Sequence, residues 1–141
     1  MGETRVDLLH LLEDLRDAYP GAIEETILAE IVANSLDSGA SRILIDADAG
    51  QATLSVTDDG SGMQRRELAR YHDLAASTKS RGQGIGFAGV GIKLGLLISE
   101  EVLTETRRGK SHVATSWHLA SRHRAPWKWV PPPGLVNERG T

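Results

Sequence analysis

The feature that most constrains the fold of this chain is a concentration of glycine in its middle third. Eight of its 15 glycines lie between positions 60 and 95, and six of those fall between positions 82 and 95. Because glycine has no Cβ atom, such a run lets the backbone approach a ligand closely. A helical pattern starts at Val90, and the free N–H groups at a helix N-terminus attract anions. The stretch therefore indicates a phosphate-binding loop, with a flexible loop that holds no ligand as the competing interpretation.

Apolar periodicity assigns the rest of the chain to helices and strands. Gly39 is expected to end the second helix in the left-handed conformation. Prolines favour a loop from residue 122 onward, and 76–89 is expected to be a loop of Ser, Thr, Lys and Gly. The expected helices are 6–19, 22–38, 65–75 and 90–98, and the expected strands are 41–47, 52–57, 101–107 and 111–119, with the start of another at 136–141.

The order of these elements favours an α+β fold. No strand–helix–strand unit surrounds the glycines, which argues against a Rossmann fold. Helices packed on one face of a mixed, mainly antiparallel sheet would form a two-layer α/β sandwich. The length of 141 residues, with 40% apolar and 25% charged residues, suits a single domain spanning 1–141.

Composition excludes several kinds of site. The chain has no cysteine, which rules out disulfides, thiol catalysis and Cys-ligated zinc. Its five histidines lack the spacing of a helical metal site. It has no apolar run of about 18 residues, so no membrane span is expected. The net charge of −3 gives no general attraction to DNA, and we expect a cytoplasmic protein, or a nuclear one in a eukaryote.

A polar stripe runs along the second expected helix. Glu30, Asn34 and Asp37 are spaced i, i+4 and i+7, which places them on one narrow face. A carboxylate there can accept a proton from an attacking water, and an amide oxygen can ligate Mg²⁺. The simpler interpretation is the solvated face of an amphipathic helix.

The turn after the second strand also carries a candidate binding group. Asp58 ends a hydrophobic strand, and its carboxylate can accept a hydrogen bond from an exocyclic amine such as that of adenine. Gly60 and Gly62 would let the backbone pass close to a flat base. An ordinary strand-to-helix turn has the same composition.

The densest part of the glycine run is GQGIGFAGVGIK at 82–93. It is not a Walker A loop, because no Gly-Lys-Ser/Thr follows at the required spacing. Lys93 lies in the first turn of the following helix and Lys79 in the preceding loop. Both could add positive charge near bound phosphates.

These three segments together resemble the GHKL ATPase superfamily (gyrase, heat-shock chaperone, histidine kinase and MutL). LAEIVANSLDSGA at 28–40 resembles its N box, DDGSGM at 58–63 its adenine box, and GFAGVG at 86–91 its lid motif. The resemblance covers residues 22–120 and is nearest in pattern to MutL, MORC and type IIB topoisomerase B-like ATPase domains. It implies the Bergerat ATP-binding fold.

The resemblance also implies site roles. Glu30 matches the general base that activates water, Asn34 the Mg²⁺ ligand, and Asp58 the adenine-binding aspartate. Asp59 stands where an Asn is commoner, which leaves Asp58 intact. The Gly-Thr that opens a later strand of the family, whose Thr assists that aspartate through water, matches residues 140–141. With the two lysines, the predicted nucleotide-binding residues are Asn34, Asp58, Gly62, Met63, Lys79, Gly86, Gly89, Val90, Gly91, Lys93 and Thr141.

The implied activity is Mg²⁺-dependent ATP binding and hydrolysis, with lid closure that drives homodimerisation or movement of a partner domain. Two alternatives stay open: a nucleotide-binding switch that does not hydrolyse ATP in isolation, and the kinase domain of a two-component histidine kinase. Because the chain stops at the expected start of a strand, we expect a fragment that lacks a following transducer domain.

One further segment is basic and aromatic. Residues 122–129 read RHRAPWKW, a composition that can stack on or pair with nucleic acid. We favour the other interpretation, a loop that packs its tryptophans on the domain edge.

Overall fold

The computed structural model of the chain describes residues 2–73 and 90–141. The predicted glycine loop lies outside these residues, and with it Lys79, Gly86 and Gly89. In chain order the helices and strands are α1 (Leu8–Asp17), α2 (Ile23–Asp37), β1 (Ile43–Asp48), β2 (Thr53–Asp58), α3 (Arg65–Tyr71), α4 (Val90–Ile98), β3 (Val102–Arg108), β4 (Ser111–Trp117) and β5 (Trp127–Val130).

Two antiparallel sheets form the strand layer of the described residues. β1 and β2 make a hairpin in which Ile45 pairs with Val56. β3, β4 and β5 form a three-stranded meander, with Thr115 of β4 between Thr104 and Trp129. These pairings and the helices confirm the α+β class. Gly39 ends α2 with a φ of 79°, as predicted.

Residues 140–141 join the two sheets. Gly140 exchanges two backbone hydrogen bonds with Arg107 of β3, at 2.9 and 3.0 Å. On the other side, the backbone N–H of Asp58 in β2 donates to the Thr141 carbonyl at 2.9 Å. The strand expected at 136–141 is therefore present as a single bridge at Gly140, and it forms the seam between the sheets.

β5 corrects the sequence-based assignment. Residues 122–129 were expected to lie in a loop, but Trp127–Val130 is a strand paired with β4. Period-two spacing places Trp127 and Trp129 on the face that carries Thr115 and Trp117. The prolines at 126 and 131 flank the strand without interrupting it, which is why they concealed it.

The helices cover this same face. α4 packs between α1, α2 and β3, with Leu94 buried against Ile27 and Leu96 buried against Leu12. α3 packs on β4 and β5 through His72, whose ring stacks on Trp127 at 4.3 Å. Arg65 lies over the ring of Trp129 at 3.8 Å. The tryptophans thus pack against the α3 region at the edge of the domain. The described helices all lie on one face of the strand layer.

The opposite face of the meander carries no helix among the described residues; the segment after β5 crosses it. Glu105 of β3 accepts hydrogen bonds from the backbone N–H groups of Gly134 and Leu135, at 3.0 and 2.9 Å. Val136 follows and is buried. No helix within 2–73 and 90–141 is long and apolar enough to cross a membrane.

Candidate functional site

Asp58, the last residue of β2, has a carboxylate fixed by three hydrogen bonds. Ser35 Oγ donates to Oδ2 at 2.7 Å, while the backbone N–H groups of Gly60 and Thr141 donate to Oδ1 at 2.8 and 3.2 Å. An ionised carboxylate has about four lone-pair sites. Three oriented donors therefore hold the group still and leave it able to accept one more, such as an amine.

The turn after Asp58 packs directly on the seam. Gly62 has a φ of 68°, and a Cβ atom at this position would overlap the Arg107 carbonyl. Gly140 has a φ of 125°, and a Cβ atom there would overlap the Asp58 carbonyl. Both positions thus combine a backbone conformation that favours glycine with no room for a side chain. Gly62 of the predicted adenine box and Gly140 of the seam are therefore required by the protein's own packing.

Thr106, on the inward face of β3, links the turn to the seam. Its buried hydroxyl accepts a hydrogen bond from the Met63 N–H at 2.7 Å and donates to the Gly140 carbonyl at 3.1 Å. Since a hydroxyl has one proton, the 3.1 Å contact with Thr141 Oγ1 is donated by Thr141. Met63, Thr141 and Asp58 are therefore parts of one connected network.

The polar stripe of α2 lies partly against α4. Glu30 and Asn34 are half-buried and Asp37 is exposed. A Cβ atom at Gly91 would overlap Glu30 Cβ, so the first turn of α4 rests directly on Glu30. Burial, and then the negative charge of Glu30, raise the pKa of the Tyr19 hydroxyl. The Glu30 end of the stripe is thus a contact surface that lies at a helix N-terminus, whereas the Asp37 end is solvated.

Lys93 lies in the first turn of α4 with only 1% of its surface exposed. Burial lowers the pKa of its ammonium group, and the negative charge of Asp73 partly opposes that effect. Lysine is rarely buried this deeply unless it is paired. Its side chain is therefore buried in the interior of the described structure. Its contact with phosphate stays a prediction.

Asp59 has a structural role. Its carboxylate accepts hydrogen bonds from the Ser41 N–H, the Ser41 hydroxyl and the Arg42 N–H, at 2.7, 2.6 and 2.8 Å. These hydrogen bonds lower the pKa of Asp59 to about 2. The Ser41 hydroxyl contributes most, and the Arg42 N–H contributes next. These donors lie immediately before β1, so the aspartate that replaces the commoner Asn fixes the start of the hairpin beside Asp58.

The predicted residues therefore form two groups joined by α2. Asp58, Gly62, Met63 and Thr141 share the network at the seam, while Glu30 and Gly91 are in contact at the α2–α4 interface. Asn34 lies one turn from Glu30 and next to Ser35, which reaches Asp58. Val90 begins α4. Lys79, Gly86 and Gly89 lie outside the described residues.

Sequence reasoning missed Ser35 and Thr106. Ser35 lies between Asn34 and Asp37, and the i, i+4 and i+7 spacing of the polar stripe does not include it. Thr106 occupies an inward position of β3, where a hydroxyl group needs a hydrogen-bonding partner. A polar residue at an inward strand position was the available signal.

Comparison with known proteins identifies the family of the chain. Residues 22–132 match the family described as histidine kinase-, DNA gyrase B-, and HSP90-like ATPase. A DNA mismatch repair protein MutL of Methanothrix thermoacetophila is 32% identical over 79% of this chain and 22% of its own length. For the MutL of Rhodopseudomonas palustris the identity is 32% over 64% of this chain and 16% of that protein. For that of Dictyoglomus thermophilum it is 44% over 49% and 13%.

The chain thus spans about a fifth, or less, of the length of these curated relatives. The matched region includes the α2 stripe, the Asp58 turn and α4. The family match covers well over half of the chain, and the relatives agree with the MutL-like pattern of its motifs. The chain belongs to the family of histidine kinase-, DNA gyrase B- and HSP90-like ATPases, the GHKL superfamily.

Proposed function

We propose that this chain binds Mg-ATP and hydrolyses it, with water as the acceptor. The observation that carries the proposal is the Asp58 carboxylate, which three donors from α2, the following turn and the seam hold in one orientation. A carboxylate so fixed, with acceptor capacity left, is suited to directional recognition of an exocyclic amine. Asp58 would accept a hydrogen bond from the adenine amine, beside the backbone of Gly62 and Met63 and the side chain of Thr141.

Glu30 would act as the general base. It lies against the first turn of α4, where free N–H groups and the helix dipole favour the negative phosphates. As the oxygen of water forms its bond to the γ-phosphorus, the bond from that phosphorus to the β–γ bridging oxygen breaks. One water proton passes to the Glu30 carboxylate, and ADP leaves.

The described residues offer few metal ligands, which suits a magnesium ion held partly by the protein and partly by the ATP phosphates. Within 2–73 and 90–141, no cluster of three His, Cys, Asp or Glu side chains could form a metal cage. Mg²⁺ usually binds through few protein oxygens together with substrate phosphates. Asn34, half-buried one turn from Glu30, would hold it through its side-chain oxygen. When bound, the ion neutralises charge on the phosphates.

The remaining predicted residues would cover the phosphates. Gly86, Gly89, Val90 and Gly91 are assigned to the lid, with Lys79 and Lys93 as the cations near it. Closure of such a lid excludes water and can drive dimerisation or move a partner domain. The Mg²⁺ requirement, closure and homodimerisation of the whole protein are parts of this proposal.

Calorimetric titration of ATP, with and without Mg²⁺, tests the binding site. We expect Mg²⁺-dependent binding to the unmodified chain, and its loss in Asp58→Asn, because the amide presents a donor where the site needs an acceptor. Asp46→Asn, the same change at an exposed position of β1, is the matched control and should bind normally. Equal effects of the two substitutions, or a nucleotide affinity that Asp58→Asn does not change, would contradict the assignment.

A measurement of phosphate release distinguishes a loss of ATP hydrolysis from a loss of ATP binding. Glu30→Gln should keep ATP affinity within about threefold and lower turnover by about a hundredfold or more, as expected for loss of a general base. Glu24→Gln, an exposed change in the first turn of α2, is the control. If Glu30→Gln lowers affinity as much as Asp58→Asn does, the separate roles are wrong.

A further inference from the structure

The turn between β4 and β5 carries three consecutive basic side chains, Arg122, His123 and Arg124. The N–H groups of Ala120 and Ser121 both donate to the Arg124 carbonyl, at 2.9 and 3.2 Å, which closes the turn. Trp127 packs on His72 and Trp129 packs under Arg65, and both rings are partly buried. The fully exposed part of the segment at 122–129 is mainly basic.

Hydrogen bonds hold this turn against the start of α1 and the residues just before it. The Leu9 N–H donates to the Arg122 carbonyl at 2.8 Å, and the Arg122 guanidinium donates twice to the Asp7 carboxylate, at 2.8 and 3.2 Å. His123 Nδ1 lies 2.7 Å from the Val6 carbonyl. Because a carbonyl only accepts, Nδ1 carries the proton. A backbone hydrogen bond, an ion pair and a side chain-to-backbone hydrogen bond thus fix the turn relative to residues 6–9.

Between the two fastened segments lies a cleft of about 420 Å³, lined by Arg5, Val6, Ser121, His123 and Arg124. Arg5 and Arg124 are exposed, and within 2–73 and 90–141 no ion pair joins either guanidinium to an acid. Asp7 is already engaged: the backbone N–H of His10 and the Arg122 side chain both hydrogen-bond to its carboxylate and lower its pKa. Two guanidinium groups and an imidazole therefore line one cleft in a chain of net charge −3.

We propose that this cleft is a second anion site, which binds a phosphate group. The planar fork of arginine matches phosphate oxygens in pairs, and two such groups on opposite segments can bind one phosphate from two sides. None of the five lining residues belongs to the predicted nucleotide site. The site is thus independent of the proposed ATPase function. A free polyphosphate and a nucleic-acid backbone present the same contacting atoms, and the test below distinguishes these two sources.

Nuclear magnetic resonance with inorganic tripolyphosphate as the probe tests the site. We expect saturable shifts of the His123 ring signals and the Arg5 and Arg124 Nε–H signals. The double variant Arg5→Gln/Arg124→Gln should weaken the affinity read at His123 about tenfold or more, because it removes charge-assisted hydrogen bonds to the phosphate. Both side chains are exposed, so the fold should persist.

The double variant Arg66→Gln/Arg70→Gln on α3 removes the same charge from exposed positions that do not line the cleft. It should change the affinity at His123 less than threefold. Equal weakening in the two double variants would show general electrostatic attraction only and overturn the site, as would shifts at His123 that do not saturate. ATP affinity should be the same in both variants, which separates this site from the nucleotide site.

A single-stranded oligonucleotide, added to the tripolyphosphate complex, identifies the source of the phosphate. If the oligonucleotide displaces tripolyphosphate from His123 in the unmodified chain, and itself binds the Arg5→Gln/Arg124→Gln variant more weakly, the site takes a polymer phosphate. If tripolyphosphate stays bound, the site takes a small free anion. Both results support a phosphate site.

Discussion

Ser35 Oγ donates a 2.7 Å hydrogen bond to Asp58 Oδ2 and so joins the middle of the predicted N box to the first residue of the predicted adenine box. Ser35 is only 3% exposed, and Asp58 is the group on which nucleotide recognition is proposed to depend. A buried hydroxyl that donates to a carboxylate both stabilises the fold and orients the acceptor.

Replacing Ser35 with Ala should therefore affect stability and affinity together. We expect a loss of about 1.5–3 kcal/mol in unfolding free energy, the usual value for a hydrogen bond to a charged group. ATP affinity, measured by calorimetry, should fall because Asp58 loses one of its three orienting donors. Ser35→Thr keeps the hydroxyl and should recover part of the affinity, whereas Ser55→Ala on β2 should change neither quantity. Unchanged affinity in Ser35→Ala would show that Asp58 does not need this contact.

Alanine substitutions at Gly62 and Gly109 should distinguish the cost of backbone strain from the cost of steric overlap. Both have positive φ, 68° and 60°, but a Cβ atom at Gly62 meets the Arg107 carbonyl while one at Gly109 meets nothing within 4 Å. Gly109→Ala should cost about 1 kcal/mol of stability through strain alone. Gly62→Ala should cost clearly more, and it should weaken ATP binding. Similar midpoints of chemical denaturation for the two variants would exclude the predicted overlap.

His72 should make the protein less stable in mild acid. Burial lowers the pKa of His72 from its usual 6.5, although the Ala69 carbonyl partly opposes this effect. The Nδ1–H of His72 donates to the Ala69 carbonyl, and Thr115 Oγ1 donates to Nε2 at 2.9 Å, which suits the neutral ring. The unfolded chain therefore binds the proton more readily, so the contribution is complete above about pH 6.5 and is lost as the pH falls below it.

Urea denaturation at pH 5.5 and pH 7.5 measures this difference. The unmodified chain should be less stable at pH 5.5, and His72→Phe should lose much of that pH dependence while keeping a ring against Trp127. His118→Gln, at an exposed position, is the control and should behave as the unmodified chain does. A pH dependence that persists in His72→Phe would assign it to another group.

Glu105 should be the main attachment of the segment after β5. Burial raises the pKa of this carboxylate, but hydrogen bonds from His112, Leu135 and Gly134 outweigh burial and lower it overall. Glu105→Gln should therefore reduce the unfolding free energy at pH 7 by about 1.5–3 kcal/mol. It should also speed proteolysis between residues 131 and 137. Glu100→Gln, an exposed neighbour, serves as the control, and equal proteolysis rates for the two variants would disprove the anchoring role.

Local sequence patterns predicted the parts of the site that depend on local geometry. The α2 stripe follows from helical periodicity, and the Asp58 turn follows from an Asp-Gly pattern after a strand. Both segments lie where they were expected. The roles of Glu30 and Asn34 in chemistry came from resemblance to the family, and they stay predictions.

The contacts that complete the site join positions far apart in sequence. Thr106 reaches Met63 across 43 residues, and Thr141 reaches Asp58 across 83. No local pattern determines such pairings, because they depend on how the sheets meet. β5 was missed for the same reason: four residues between prolines form a strand only because β4 offers its edge.

The seam at residues 140–141 links the position of these residues to that of Asp58. Thr141 holds Asp58 twice, through its carbonyl on the Asp58 backbone and through its own N–H on the Asp58 carboxylate. A ligand that tightens these joints would stiffen the two sheets into one plate. By reciprocity, a force that draws residues 140–141 away from β2 would loosen the ligand by the same free energy. The seam would thus couple the two events: displacement of residues 140–141 would change ligand affinity, and a bound ligand would resist that displacement.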